Sequence, residues 1–322
     1  MNTNTEKLGY IEFTDRVRGL VEQLAGGEAT VVLSHVLKNN SVRRDSITIH
    51  ESGAQAAPSI YINDLYTAYL NGETEESIAE GIVRTHRDNL GVVDAEQFSD
   101  FTFESMRGSI ICRLINYDMN RELLAEVPHI RYRDLAVTFH CLVDISGHSM
   151  GTVRIKNEHC TLWGVSAPQL YAEACINMPR LLPYTFKSML VTLSDMLVTS
   201  LDGESAGSAQ HSEIEDMIGC LENCSEMEEN AMYVLSTESG ISGAACLLYD
   251  GVTDMIADRI GGSYYILPSS INEVIIVPDS LAHSRRELEE MVRTVNRENV
   301  PREDILSDTV YHYPEDDFTP VI

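Results

Sequence analysis

The chain has 322 residues, 43% of them hydrophobic and 23% charged, a globular composition with the length for about two domains. Its 50 acidic and 23 basic residues leave a formal net charge of −27, which disfavours binding to nucleic-acid phosphates or anionic lipid through a broad positive face. No window of about 18 residues is apolar throughout, so no membrane-spanning helix is predicted.

The opening stretch MNTNTEKLGYIEF has neither a basic n-region nor an apolar core, and no secretory signal is expected. The first predicted helix covers 9–25, where Val17, Leu20, Val21 and Leu24 recur at helical spacing. Gly26 and Gly27 break it. Strands are predicted at Ala29–Leu37 and Ser46–His50 across the polar turn Lys38–Ser41. A second helix carries Ile62, Leu65, Tyr66 and Tyr69 on one face, and Thr74 is placed to cap a third, running to about Arg87.

The same order then recurs. A long helix is predicted over 95–126, then strands at 135–144 and 151–160 around the loop Gly147–Gly151. The next helix opens at Ser166, with Gln169 three residues on as a capping box. Residues 1–185 thus read as an α+β domain of two helix–hairpin–helix units.

Between Lys187 and Arg259 there is no Lys or Arg, and 201–230 is rich in Ser, Gly and Glu. Residues 186–230 are read as a helix followed by an acidic linker. Residues 231–322 form a separate predicted domain, in the order strand 233–236, helix 242–260, strands 264–267 and 274–277, helix from Ser284 and strand 310–313. That order, β-α-β-β-α-β, predicts a ferredoxin-like domain. YYIL and VIIV are apolar on both faces, so the first domain or a partner is expected to cover the second face of this sheet.

The blocks MYVLSTESGISGAACLLYDGV, YYILPSSINEVIIVPDS and ELEEMVRTVNRENVPREDILSDTVYHY, with LWGVSAPQLYAEACINMPRLLP, resemble an uncharacterised bacterial domain family of unknown function. The family is associated with gut anaerobes and their conjugative mobile elements. The resemblance covers about half the chain. It implies a cytosolic bacterial protein and supplies no reaction and no catalytic residues.

Ser239-Gly240-Ile241-Ser242-Gly243, between a strand and a predicted helix start, is the candidate anion-binding turn. Its glycines permit a tight bend, Ser239 and Ser242 offer hydroxyls, and a helix N-terminus offers free N–H groups. The competing role is a plain cap, because the turn matches neither the P-loop, nor GxGxxG, nor the nucleophile elbow. No metal or cofactor is expected: His140 and Cys141 alternate across one strand, as do His159 and Cys160, and Cys220 and Cys224 lack a second ligand pair. Cys112, Cys175 and Cys246 are expected as small apolar filler on helix faces, and all seven cysteines as reduced thiols of a cytoplasmic protein. Glu75-Glu76, Glu289-Glu290 and Asp316-Asp317 read as solvated acids.

No catalytic residues are assigned. The expected function is non-catalytic binding or regulation, with a partner protein presenting a basic surface and neither nucleic acid nor membrane. Two alternatives stand beside it: a small-molecule enzyme using the Gly240–Gly243 turn, and an acidic decoy of a DNA-binding protein.

Overall fold

The computed structural model describes residues 7–27, 29–51, 58–88, 101–144, 150–201, 231–282, 284–316 and 318. The predicted linker, with His211, Cys220 and Cys224, lies outside them, as does His148. The described residues form a mixture of helices and antiparallel sheets. Among the described residues no helix is long and apolar enough to cross a membrane. By their contacts the residues divide into two units, Met1–Met106 with Leu142–Val153, and Arg107–Cys141 with Arg154–Ile322.

In the first unit, α1 (Tyr10–Ala25) buries Phe13, Val17 and Val21 and ends where Gly26 turns to φ 91°. Strands β1 (Thr30–Leu37) and β2 (Arg43–His50) pair from Thr30↔His50 to Leu37↔Arg43, and β3 (Ser59–Tyr61) adds to β2. Helices α2 (Ile62–Leu70) and α3 (Glu75–Asp88) come next. The Thr74 hydroxyl accepts the Ser77 N–H at 3.2 Å, the predicted cap. Ile47 and Ile49 of β2 meet the buried faces of these helices in one core. A one-turn helix, α4 (Phe103–Met106), ends the first stretch of the unit, which also takes in Leu142–Val153.

The second unit starts with a correction. Inside the predicted 95–126 helix stands β4 (Ile110–Asn116). Its sequence, IICRLIN, is apolar from Ile110 to Ile115 apart from Arg113. Such a run, buried on both faces, satisfies helical and strand periodicity alike. The one-turn helix α5 (Arg121–Leu124) leads to β5 (His129–Tyr132) and β6 (Leu135–Asp144), in the sheet order β4-β6-β5. The next strand, β7 (Met150–Arg154), pairs with β6 and stops short of the predicted 160. Asn157–Trp163 is instead helix α6, with the His159 ring accepting the Lys156 N–H at 3.1 Å. Helix α7 (Ala167–Leu181) has the predicted Ser166–Gln169 capping box.

Strand β8 (Tyr184–Ser188) and helix α8 (Met189–Leu201) precede β9 (Tyr233–Thr237). The predicted helix 242–260 is broken in two. A tight 3-10 turn covers Gly243–Leu248, Gly251 turns to φ 71°, and α9 takes Val252–Ile260. Then come β10 (Tyr264–Ser270), β11 (Glu273–Pro278), α10 (Arg285–Glu298), capped by Ser284, and β12 (Tyr311–Tyr313).

The sheet order is β12-β10-β11-β9-β8, antiparallel throughout. The split βαβ is present, since β11 lies between the parallel strands β9 and β10. The ferredoxin-like arrangement is not: there the last strand would sit beside the first, and here β8 holds that edge while β12 pairs with β10. The predicted boundaries at 185 and 230 therefore differ from the contact division, for β8 and β9 pair from Tyr184↔Thr237 to Ser188↔Tyr233. Both faces of the sheet are covered within the unit. Leu288 and Val292 of α10 pack on Leu267 and Val277, while the opposite face, with Tyr264, Ile266 and Ile276, lies fully buried.

Candidate functional site

The predicted anion turn comes directly after β9. Ser239 and Gly240 are exposed; Gly240 takes φ 70°, and the Ser239 hydroxyl accepts the Ile241 N–H at 3.3 Å, bracing the bend. Ser242 is fully buried at φ 54°, its N–H on Asn272 Oδ1 at 3.2 Å. Gly243 is a packing residue. A Cβ there would lie 2.0 Å from the Asn272 carbonyl oxygen and 2.8 Å from Ser236 Cα. The structure thus carries Ser242 and Gly243 inward and leaves Ser239 and Gly240 at the surface. The next element is a six-residue 3-10 turn, so the free N–H groups of a long helix start are not offered here.

The residue that the sequence reading missed is Arg113. Its Nε–H donates to Ser242 Oγ at 3.0 Å, from 129 positions away. The available signal was a single guanidinium inside an apolar strand, since arginine is rarely buried unless something pairs with it.

Catalytic constellations fare differently. Asp279 stands between Ser263, at 2.5 Å, and His312, at 3.0 Å. A carboxylate in the middle keeps the imidazole from taking the serine proton, so the trio has the wrong order for a nucleophile. In the first unit, Asp45 bridges His35 (2.5 Å) and the Tyr10 hydroxyl (2.8 Å), with no nucleophile attached. Among the described residues no group of three His, Cys, Asp or Glu could hold a metal ion. Asp316, read from the sequence as a solvated acid, is instead mostly buried, pairing with Arg133 at 2.7 Å and accepting the His312 N–H.

The thiols divide by burial. Cys112 sits on β4 rather than a helix, and Cys112, Cys141 and Cys246 are buried; Cys175, on α7, is exposed. Burial pushes the Cys141 and Cys246 thiols up to about 12, which removes the reactive thiolate at neutral pH. Brief alkylation of the native protein, mapped by peptide mass spectrometry, is expected to label Cys175 at least about tenfold faster than these three. Equal rates would contradict the burial described here.

Cys175 opens onto a cleft of about 650 Å³ in the second unit. Tyr171, Tyr184, Tyr249, Tyr313 and Phe318 line it, with Asp250 and Asp254 beside them and, among the described residues, no Lys, Arg or His. Three of the rings are held by specific contacts. Tyr313 stacks on Tyr264 at 5.0 Å and donates its hydroxyl to Asp254. The Tyr249 hydroxyl donates to the Leu182 carbonyl at 2.8 Å, and Tyr184 meets the Tyr249 ring edge-on at 6.5 Å. Asp250 and Asp254 are exposed, and among the described residues neither has a basic partner. Asp254 occupies the first turn of α9, where a carboxylate offsets the partial positive charge of the helix start. Sequence reading could not find this cleft, because it joins α7, the 247–254 segment and the strand at 313 across long separations.

Residues 10–315 match the model of a family of unknown function, DUF5688. Neither a curated protein nor a solved structure matches the chain.

Proposed function

We propose that this chain, which belongs to the DUF5688 family of unknown function, is a non-catalytic binding protein that takes a cationic side chain of a basic protein partner into the Tyr249–Asp254 cleft. One observation carries the reading: Asp250 and Asp254, exposed and without basic partners among the described residues, share with four tyrosines a cleft that no described basic residue lines. Tyrosine faces attract ammonium or guanidinium groups by about 0.5–2 kcal/mol, and the carboxylates add charge-assisted hydrogen bonds. The net charge of −27 steers a basic partner toward the surface at low ionic strength. Free thiols on the five described cysteines suit a cytoplasmic setting.

Calorimetry with the full chain tests the reading, using one lysine- and arginine-rich peptide and one acidic peptide of equal length. The basic peptide is expected to bind, to weaken about tenfold in the Asp250→Asn/Asp254→Asn variant, and to slow alkylation of Cys175 at the cleft wall. Equal binding of the acidic peptide, or undiminished binding by the variant, would overturn it.

A further inference from the structure

A second hollow in the same unit, of about 460 Å³, brings together α10, the end of β4 and residues 305–309. Arg293, Asn296 and Arg297 line it from α10, and their i, i+3, i+4 spacing sets them on one face of the helix. Asp134, Ser307 and Asp308 belong to the rest of its lining.

That part is braced. Asp134 accepts the Ser307 hydroxyl at 2.5 Å on one oxygen and the Tyr311 hydroxyl at 2.8 Å on the other. Asn296 is 4% exposed, and its Nδ2 donates to the Ser307 carbonyl at 3.0 Å and to Asp308 Oδ1 at 2.8 Å. Both amide protons are thereby used, which fixes the orientation of the amide. Its Oδ1 is buried without a hydrogen-bond partner. An unpaired buried acceptor is costly, and a donor carried in by a ligand removes that cost.

The two arginines are held loosely. Arg293 pairs with Glu289 at 3.2 Å, one turn back, and Arg297 with the adjacent Glu298 at 2.8 Å. Both guanidiniums are exposed, and surface pairs of this kind exchange readily for another carboxylate. Four residues of helix separate them by about 6 Å along the axis, a span that two carboxylates of one small molecule can bridge. Asn296 and Asp308 supply acceptors beside these cations. Anion receptors next to acceptors that lack a cation match a molecule carrying both signs of charge.

We propose that this hollow binds a free dicarboxylic α-amino acid. Its two carboxylates draw Arg293 and Arg297 from their glutamate pairs, and its ammonium donates to Asn296 Oδ1 and to the Asp308 carboxylate. The hollow is separate from the Tyr249–Asp254 cleft, and its test does not depend on the basic-partner reading.

Calorimetry of the full chain compares L-glutamate with glutarate, which lacks the ammonium, and with L-glutamine, which lacks the side-chain carboxylate. One saturable site for L-glutamate is the expected result, with both analogues at least tenfold weaker. The Arg293→Gln/Arg297→Gln variant changes only exposed side chains of α10 and is expected to weaken L-glutamate at least tenfold while keeping the circular dichroism of the unchanged protein. In the unmodified chain labelled with ¹⁵N-asparagine, the Asn296 side-chain amide signal is expected to shift with L-glutamate and to stay in place with glutarate. No saturable binding of L-glutamate, equal binding of either analogue, undiminished binding by the folded variant, or an unmoved Asn296 signal would overturn the proposal.

Discussion

Ile276→Asp is expected to unfold the second unit, with a loss of about 5 kcal/mol or more. Ile276 is fully buried between Ile266 on β10 and Tyr233 on β9. The substitution removes a buried aliphatic side chain and places a carboxylate between Ile266 and Tyr233. Met291→Asp is the matched control, because Met291 on α10 is 53% exposed, and its cost should stay within about 0.5 kcal/mol. Guanidinium unfolding followed by circular dichroism separates the two. A midpoint for Ile276→Asp equal to that of the unchanged protein would refute the burial of this face.

Gly243→Ala carries the second large effect, for a steric reason. The added methyl would sit 2.0 Å from a backbone oxygen and 2.8 Å from a backbone carbon, neither of which can swing aside. Separating the 3-10 turn from the β10–β11 connection is expected to cost about 3 kcal/mol. Gly240→Ala is different in kind: nothing lies within 4 Å of the new Cβ, and only the left-handed φ of 70° opposes it, at about 1 kcal/mol. Gly108→Ala has neither obstacle and should be close to neutral. The order Gly243, Gly240, Gly108 in denaturation midpoints checks the assignment. A small effect at Gly243 would mean that the turn stands farther from Asn272.

Local chemistry made much of this fold legible. Thr74, Ser166 and Ser284 announce helix starts because capping needs only the next three residues. The β10–β11 hairpin is readable from short apolar runs flanking a turn. Three misreadings have separate causes. The 110–116 segment is apolar on both faces, and periodicity cannot tell such a strand from a buried helix. The 242–260 helix fails at Gly251, which needs a left-handed backbone that the flanking apolar stripe does not reveal. The place of β12 beside β10 rather than β9 depends on β8, a five-residue strand outside the predicted domain. The site was legible to the same degree. Ser242 and Gly243 stand out as turn residues, but Arg113 and the tyrosines of the cleft meet only through tertiary packing.

The edge position of β12 bears on how the second unit reaches its native state. Its sheet closes at one margin only when residues 311–313 arrive, and Asp134 waits for Ser307 and Tyr311 to complete its hydrogen bonds, across 173 and 177 positions. Such separations give a high contact order, and loop-closure entropy then slows the search for the native pairing. During synthesis the margin of β10 stays open longest, with its backbone N–H and C=O groups available to another strand. A ribosome-bound chain halted before residue 307 should accordingly lean on chaperones, whereas the first unit can assemble once residue 153 has emerged.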